Sequence, residues 1–168
     1  IHIHLYGNIE FSHEIPHIEE HGGEGVGLYR TEFQYLTSNS MPTEDELYAE
    51  YVKAIELSGG SKLTLRTLDL GADKYTQAQA MEPERNPFLG LRSIRYCLQN
   101  QQLFRTQLRA IVRASAHGPL RVMFPLITSM NELRQAKLIF NDVLDQFKDE
   151  NSTIFSEIPV GMMVEVPS

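Results

Sequence analysis

Apolar residues gather in five short runs of strand length, Ile3–Ile9, Val26–Tyr29, Leu63–Leu68, Leu120–Ile127 and Val160–Val166. Helical patterns separate most of them. Thr43-Glu44-Asp45-Glu46 reads as a capping box, after which Leu47, Tyr51, Ala54 and Ile55 fall on one face until Gly59-Gly60. Leu103, Phe104, Leu108, Ile111, Val112 and Ser115 form a second stripe, stopped by Gly118-Pro119. A second capping box, Ser129-Met130-Asn131-Glu132, precedes Leu133, Ala136, Phe140, Val143, Leu144 and Phe147 at helical spacing. A weaker helix is expected between His13 and His21, closed by Gly22-Gly23.

Strands alternating with helices predict an α/β fold built of βα units on a parallel sheet. In such an array the ligand site lies beyond the carboxyl ends of the strands, because the loops there face one crevice. The residues at those ends are Asn8 and Glu10, then Arg30 and Glu32, then Arg66, Thr67 and Asp69, then Pro125 and Thr128, and last Glu165. The stretch from Asp69 to Arg95 is too long for a plain βα loop, and ordered insertions of that kind are usually functional.

Composition narrows the partners more than the fold. With 168 residues, 42% hydrophobic and 22% charged, the chain fits one domain of ~150 residues with a real core. A formal charge of -7 argues against nucleic acid and anionic membranes. No apolar run reaches the ~20 residues of a membrane span. One cysteine, Cys97, excludes an internal disulfide and reads as a small buried hydrophobe; a cytoplasmic setting fits best. Within the basic set ten residues are Arg and five Lys, and the Arg fork is the one that pairs bidentately with carboxylate or phosphate. The chain opens and closes inside apolar runs, which suggests a piece of a longer polypeptide.

Each candidate residue has two readings. Arg30 forms a structural ion pair with Glu32 or a neighbouring carboxylate, or contributes to an anion site. Arg66 pairs with Asp69, or does the same. Two Arg on adjacent strand ends are costly unless an anion sits between them, which favours the anion site. Glu165 is a loop-orienting acceptor or a metal ligand; magnesium takes one or two protein carboxylates and fills its other positions with water and substrate oxygens. The six histidines show no ligand spacing across facing elements. His13, His17 and His21 fall at i, i+4, i+8 and read as solvated helix surface.

These residues stand in recognisable surroundings. Gly25-Val26-Gly27-Leu28-Tyr29-Arg30-Thr31-Glu32-Phe33 resembles the second-strand motif of the phosphoenolpyruvate-utilising enzymes, and Leu65-Arg66-Thr67-Leu68-Asp69-Leu70-Gly71 their third. Asn86-Pro87-Phe88-Leu89-Gly90-Leu91-Arg92-Ser93-Ile94-Arg95 resembles their long insertion, Arg121–Ile127 their fourth strand and Gly161–Pro167 their fifth. Tyr29–Phe33 with Met41-Pro42-Thr43-Glu44 is most similar to the enzyme I type phosphotransferases of that family, with pyruvate phosphate dikinases and phosphoenolpyruvate synthases as near alternatives. Ala72 stands where that type commonly has glycine, and Leu91 where an aromatic is frequent.

The resemblance implies a partial (β/α)8 barrel, with residues 1–168 as the first five βα units of the phosphoenolpyruvate-binding domain, truncated before strand six. It implies that Arg30 and Arg66 grip the substrate phosphate with Arg92 nearby, that Asp69 orders the Arg66 loop, and that Glu165 is a magnesium ligand. The parent would move the phosphoryl group of phosphoenolpyruvate to a histidine on a separate mobile domain and then to a histidine-containing carrier protein, as a homodimer. The chain alone would be inactive. A non-catalytic interaction or dimerisation domain is the alternative from another class. Open edges predict self-association, with Leu65, Val122 and Met163 facing water or a partner.

Overall fold

The computed structural model describes residues 2–37, 40–71, 90–149 and 157–167. Ala72 and the Asn86–Leu89 part of the insertion motif lie outside the described residues. Five strands, β1 (Gly7–Ile9), β2 (Gly25–Arg30), β3 (Lys62–Arg66), β4 (Arg121–Phe124) and β5 (Val160–Met162), form one sheet. All neighbours pair in parallel in the order β1-β2-β3-β4-β5. An order without reversal is the one a closed barrel uses and a doubly wound sheet lacks.

Between the strands run α1 (Ile15–Glu20), α2 (Phe33–Leu36), α3 (Glu44–Leu57), α4 (Ser93–Gln99), α5 (Gln101–Ala114) and α6 (Met130–Asp149). Short 3₁₀ turns precede α1 at Ser12–Glu14 and follow α5 at Ser115–His117. Both expected capping boxes form. The Thr43 hydroxyl accepts from Glu46 N at 3.3 Å while Glu46 Oε2 accepts from Thr43 N at 2.7 Å. Ser129 Oγ accepts from Glu132 N at 3.3 Å and Glu132 Oε2 from Ser129 N at 3.1 Å. The short helices α2 and α4 were not expected; each has too few turns to print a period on the sequence.

Successive strand residues point to opposite faces. Leu63 and Leu65 of β3 and Val122 and Phe124 of β4 are fully buried, in one cluster with Tyr51, Ala54, Phe104, Leu108 and Ile111 of the helices. Leu65 and Val122 therefore face the helical layer, not solvent or a partner as expected; Met163 is half-buried. Burying each such side chain contributes roughly 1.5–3 kcal/mol, so the helix face of the sheet is what holds this piece together. Thr64 and Arg66 alternate onto the other face, which puts Arg66 at the crevice.

The first run is the largest departure. Pairing of β1 with β2 begins at Gly7↔Val26, and Ile3 and Leu5 are 73% and 59% exposed. The His-Ile-His-Leu alternation finds no partner surface, so the strand shrinks to three residues. At the start of β2, Gly25 has φ +144°, and a Cβ there would lie 2.6 Å from the Lys62 carbonyl oxygen. Only glycine lets β2 and β3 approach at that point.

Candidate functional site

Arg66 ends β3 and is held by backbone and side chain alike. Its carbonyl accepts from Thr31 Oγ1 at 2.9 Å, Thr67 N donates to Met123 O at 2.9 Å, and Leu68 N donates to Gln107 Oε1 at 3.0 Å. Gln107, fully buried on α5, also donates through Nε2 to Thr31 Oγ1 at 3.0 Å and to Tyr51 OH at 3.1 Å. One amide thus ties α3, the end of β2 and the turn after β3 together. Sequence periodicity offered no signal for Gln107 beyond a polar residue within an apolar stripe.

The Arg66 side chain is buried. Its Nη2 donates to Glu32 Oε1 at 3.0 Å and its Nη1 lies 2.9 Å from Asp69 Oδ2. Asp69 N also donates to Glu32 Oε1, at 3.1 Å. Burial pushes the Glu32 carboxyl above its ordinary range, while Arg66 beside it pulls the other way. Asp69 and Glu32 both hold the Arg66 guanidinium, and Glu32 also accepts from the Asp69 N–H.

Arg30 and Arg66 are register partners across β2 and β3. Neighbouring strands lie ~4.8 Å apart, so the two side chains leave one face side by side. Arg30 Nη2 lies 2.9 Å from Glu10 Oε1; Glu32, the first suggestion for its partner, belongs to Arg66. Arg92 joins through Asp69: its Nη2 is 3.8 Å from Oδ1, to which Ser93 Oγ also donates. Ser93 has φ +51°, and Ser93 N donates to Leu70 O at 2.9 Å. An antiparallel contact pairs Arg92 with Gly71. Asp69 therefore collects Arg66, Arg92 and Ser93.

One part of the sequence argument fails here. Arg30 and Arg66 do not need an anion to tolerate one another, because Glu10, Glu32 and Asp69 neutralise them. A different feature marks the same three arginines: the Nε atoms of Arg30, Arg66 and Arg92 are each buried without a hydrogen-bond partner, as is Thr67 Oγ1. A buried donor left unpaired costs ~1–3 kcal/mol. Three such N–H groups remain as unused donors, on arginines joined by the β2–β3 register and by Asp69.

Glu165 follows β5, and its Oε1 accepts from Leu126 N at 2.7 Å. Leu126 has φ +51°, a conformation uncommon for a branched residue, and its N–H is thereby turned to the carboxylate. The loop-orienting reading of Glu165 is present. The donor also suits a hard dication such as magnesium in kind; among the described residues it belongs to no cluster of three or more His, Cys, Asp or Glu ligand atoms.

His13, His17 and His21 are exposed, as expected of solvated helix surface. Cys97 is fully buried, and burial pushes its thiol up to about 12, which leaves it inert. Among the described residues no helix is long and apolar enough to cross a membrane.

Comparison with known proteins adds an independent line. A family model described as "PEP-utilising enzyme, PEP-binding domain" matches residues 1–168. The phosphoenolpyruvate-protein phosphotransferase of Staphylococcus aureus is 44% identical over 168 residues, 100% of this chain and 29% of that protein. Proteins of the same name from Priestia megaterium and Bacillus subtilis are 46% and 44% identical over 167 residues, again 99% of this chain and 29% of theirs. The chain spans under a third of the length of these relatives.

Proposed function

This chain belongs to the phosphoenolpyruvate-utilising enzymes, and from that premise we propose that it is the phosphoenolpyruvate-binding portion of a phosphoenolpyruvate-protein phosphotransferase. On this reading the sheet is the first five strands of a (β/α)8 barrel whose remaining strands follow residue 168. The sequential parallel order supports it. The phosphate of the substrate lies against Arg66, Arg30 and Arg92, with Asp69 and Glu32 fixing the plane of the Arg66 guanidinium.

Phosphoryl transfer passes through a loose transition state with charge spread over the equatorial oxygens. The protein's contribution is then positioned positive charge, held before the reaction so that nothing reorganises during it. Arg66 suits that task because its backbone is fixed from three elements and its side chain from two carboxylates. Its Nε–H, and those of Arg30 and Arg92, remain to meet phosphate oxygens. Glu165, with a ligand from outside this chain, would hold magnesium, which when bound supplies charge stabilisation for the enolate of the leaving pyruvate.

The phosphoryl group goes to a histidine on a separate mobile domain and from there to a histidine-containing carrier protein. The parent acts in the cytoplasm as a homodimer. The phosphotransferase name of the relatives favours this over a dikinase or synthase.

The orphaned Nε edges of Arg30, Arg66 and Arg92 are the observation that carries the proposal. A second reading, a non-catalytic interaction domain with structural strand-end charges, has the Arg30–Glu10 and Arg66–Glu32–Asp69 pairs in its favour. Calorimetric titration of the full-length protein with phosphoenolpyruvate and magnesium separates them. Saturable heat that disappears in Arg30→Ala supports the substrate site; no heat with the wild type selects the interaction domain.

A further inference from the structure

Away from the strand ends, the described residues bring His2, His4 and Glu24 together, with one ligand atom from each lying within 4.8 Å of the others. The sequence alone gave these histidines no ligand spacing, because Glu24 completes the set from twenty residues further on. His2 and His4 sit two apart on an extended segment, so both rings leave the same side. The rings meet edge to face at 4.6 Å between centroids, and His4 stacks on Tyr6 at 6.2 Å. Tyr6 is anchored in turn, its hydroxyl accepting from Lys62 Nζ at 2.6 Å. Glu24 precedes β2, and its N–H donates to Leu5 O at 2.7 Å. The carboxylate is thereby set against both rings, Oε1 3.2 Å from His2 Nε2 and Oε2 2.6 Å from His4 Nδ1.

We propose that His2, His4 and Glu24 form a surface site for a transition-metal dication, zinc above all, that fastens the leading segment to the start of β2. Two imidazole nitrogens and one carboxylate oxygen are a donor set for zinc, nickel or copper, whereas magnesium and calcium take oxygen ligands. Three protein ligands leave a position for water.

His4 Nδ1 is hydrogen-bonded to Glu24 and His2 Nε2 lies at ion-pair distance from it, both contacts being exposed. Exposed pairs of that kind are worth little. With Ile3 and Leu5 in solvent, residues 2–6 have almost no apolar burial to hold them. A shared ion would hold both rings and the carboxylate at once. This site is separate from the strand ends in residues and in metal chemistry, so it stands or falls independently of the substrate reading.

The test is zinc titration of the full-length, untagged protein by calorimetry, with magnesium in excess so that hard-oxygen sites stay filled. A saturable zinc site is expected, weakened about tenfold or more in His4→Ala and in Glu24→Gln, and unchanged in the double variant His17→Ala/His21→Ala. Thermal melts read the same site without relying on heat: zinc raises the wild-type midpoint and leaves that of His4→Ala where it was. Equal zinc affinity in wild type and His4→Ala, or loss of binding in the His17→Ala/His21→Ala protein, overturns the proposal.

Discussion

Arg30 and Arg66 are register partners across β2 and β3, yet their guanidinium groups are held by different carboxylates, Arg30 by Glu10 and Arg66 by Glu32 and Asp69. Two cations on adjacent strands are thereby stable without a bound anion. Their Nη atoms carry the ion pairs and their Nε edges stay unpaired. The carboxylates orient the forks and leave the Nε–H groups as buried donors without a partner.

Gln107 links this rim to the helical layer through Leu68 N, Thr31 Oγ1 and Tyr51 OH. Gln107→Ala leaves the Leu68 N–H buried without its acceptor. The expected loss is about 1–3 kcal/mol, measured as a lower urea midpoint.

Gly25 stands where a Cβ would press on the Lys62 backbone at a φ that L residues avoid. Gly25→Ala should cost ~1–3 kcal/mol and lower the thermal midpoint, whereas alanine at Gly118, whose added Cβ would meet only the Ile55 side chain, should cost less.

Glu132 links acid stability to the loop after β4. Although burial pulls its carboxyl up, the Thr128 N–H and hydroxyl at 2.7 and 2.8 Å, with Arg95 at 3.0 Å, hold it below its ordinary range. Between the folded value and the unfolded one of about 4.3, the unfolded chain binds more protons. Stability from this group is therefore complete above about 4.3 and is lost as pH falls through the folded value. Urea midpoints taken from pH 6 to 3 should fall less steeply in Glu132→Gln.

Among the described residues the sheet ends at β1 and β5 without a further strand, and Met162 and Val164 at the β5 edge are 42% and 86% exposed. Unpaired parallel edges template association. Light scattering on the 168-residue chain should give a mass above its 19.2 kDa that grows with concentration.

How much of this was legible in the sequence depends on whether a feature is local. The α3 and α6 starts were, because a capping box lies within four residues. The three longer strands were too, although Ile3–Ile9 was not, since a run can alternate without having a surface to face. Leu65 and Val122 face the helices and not an open side, and the alternation Lys62-Leu63-Thr64-Leu65-Arg66 already marks the apolar side of β3 as the inward one. Arg30, Arg66 and Asp69 could be placed at strand ends, whereas the Glu10–Arg30 pair joins two strands and Gln107 reaches across from α5. His2, His4 and Glu24 are likewise brought together only by β1–β2 pairing.

The central claim is that Arg66 is positioned to hold the phosphoryl group in transfer. Single-turnover transfer from labelled phosphoenolpyruvate, measured on the full-length protein and its Arg66→Ala variant with matched circular dichroism, tests it most directly. The account predicts a fall of about 10³-fold or more with the fold retained; transfer within a few-fold of wild type would contradict it.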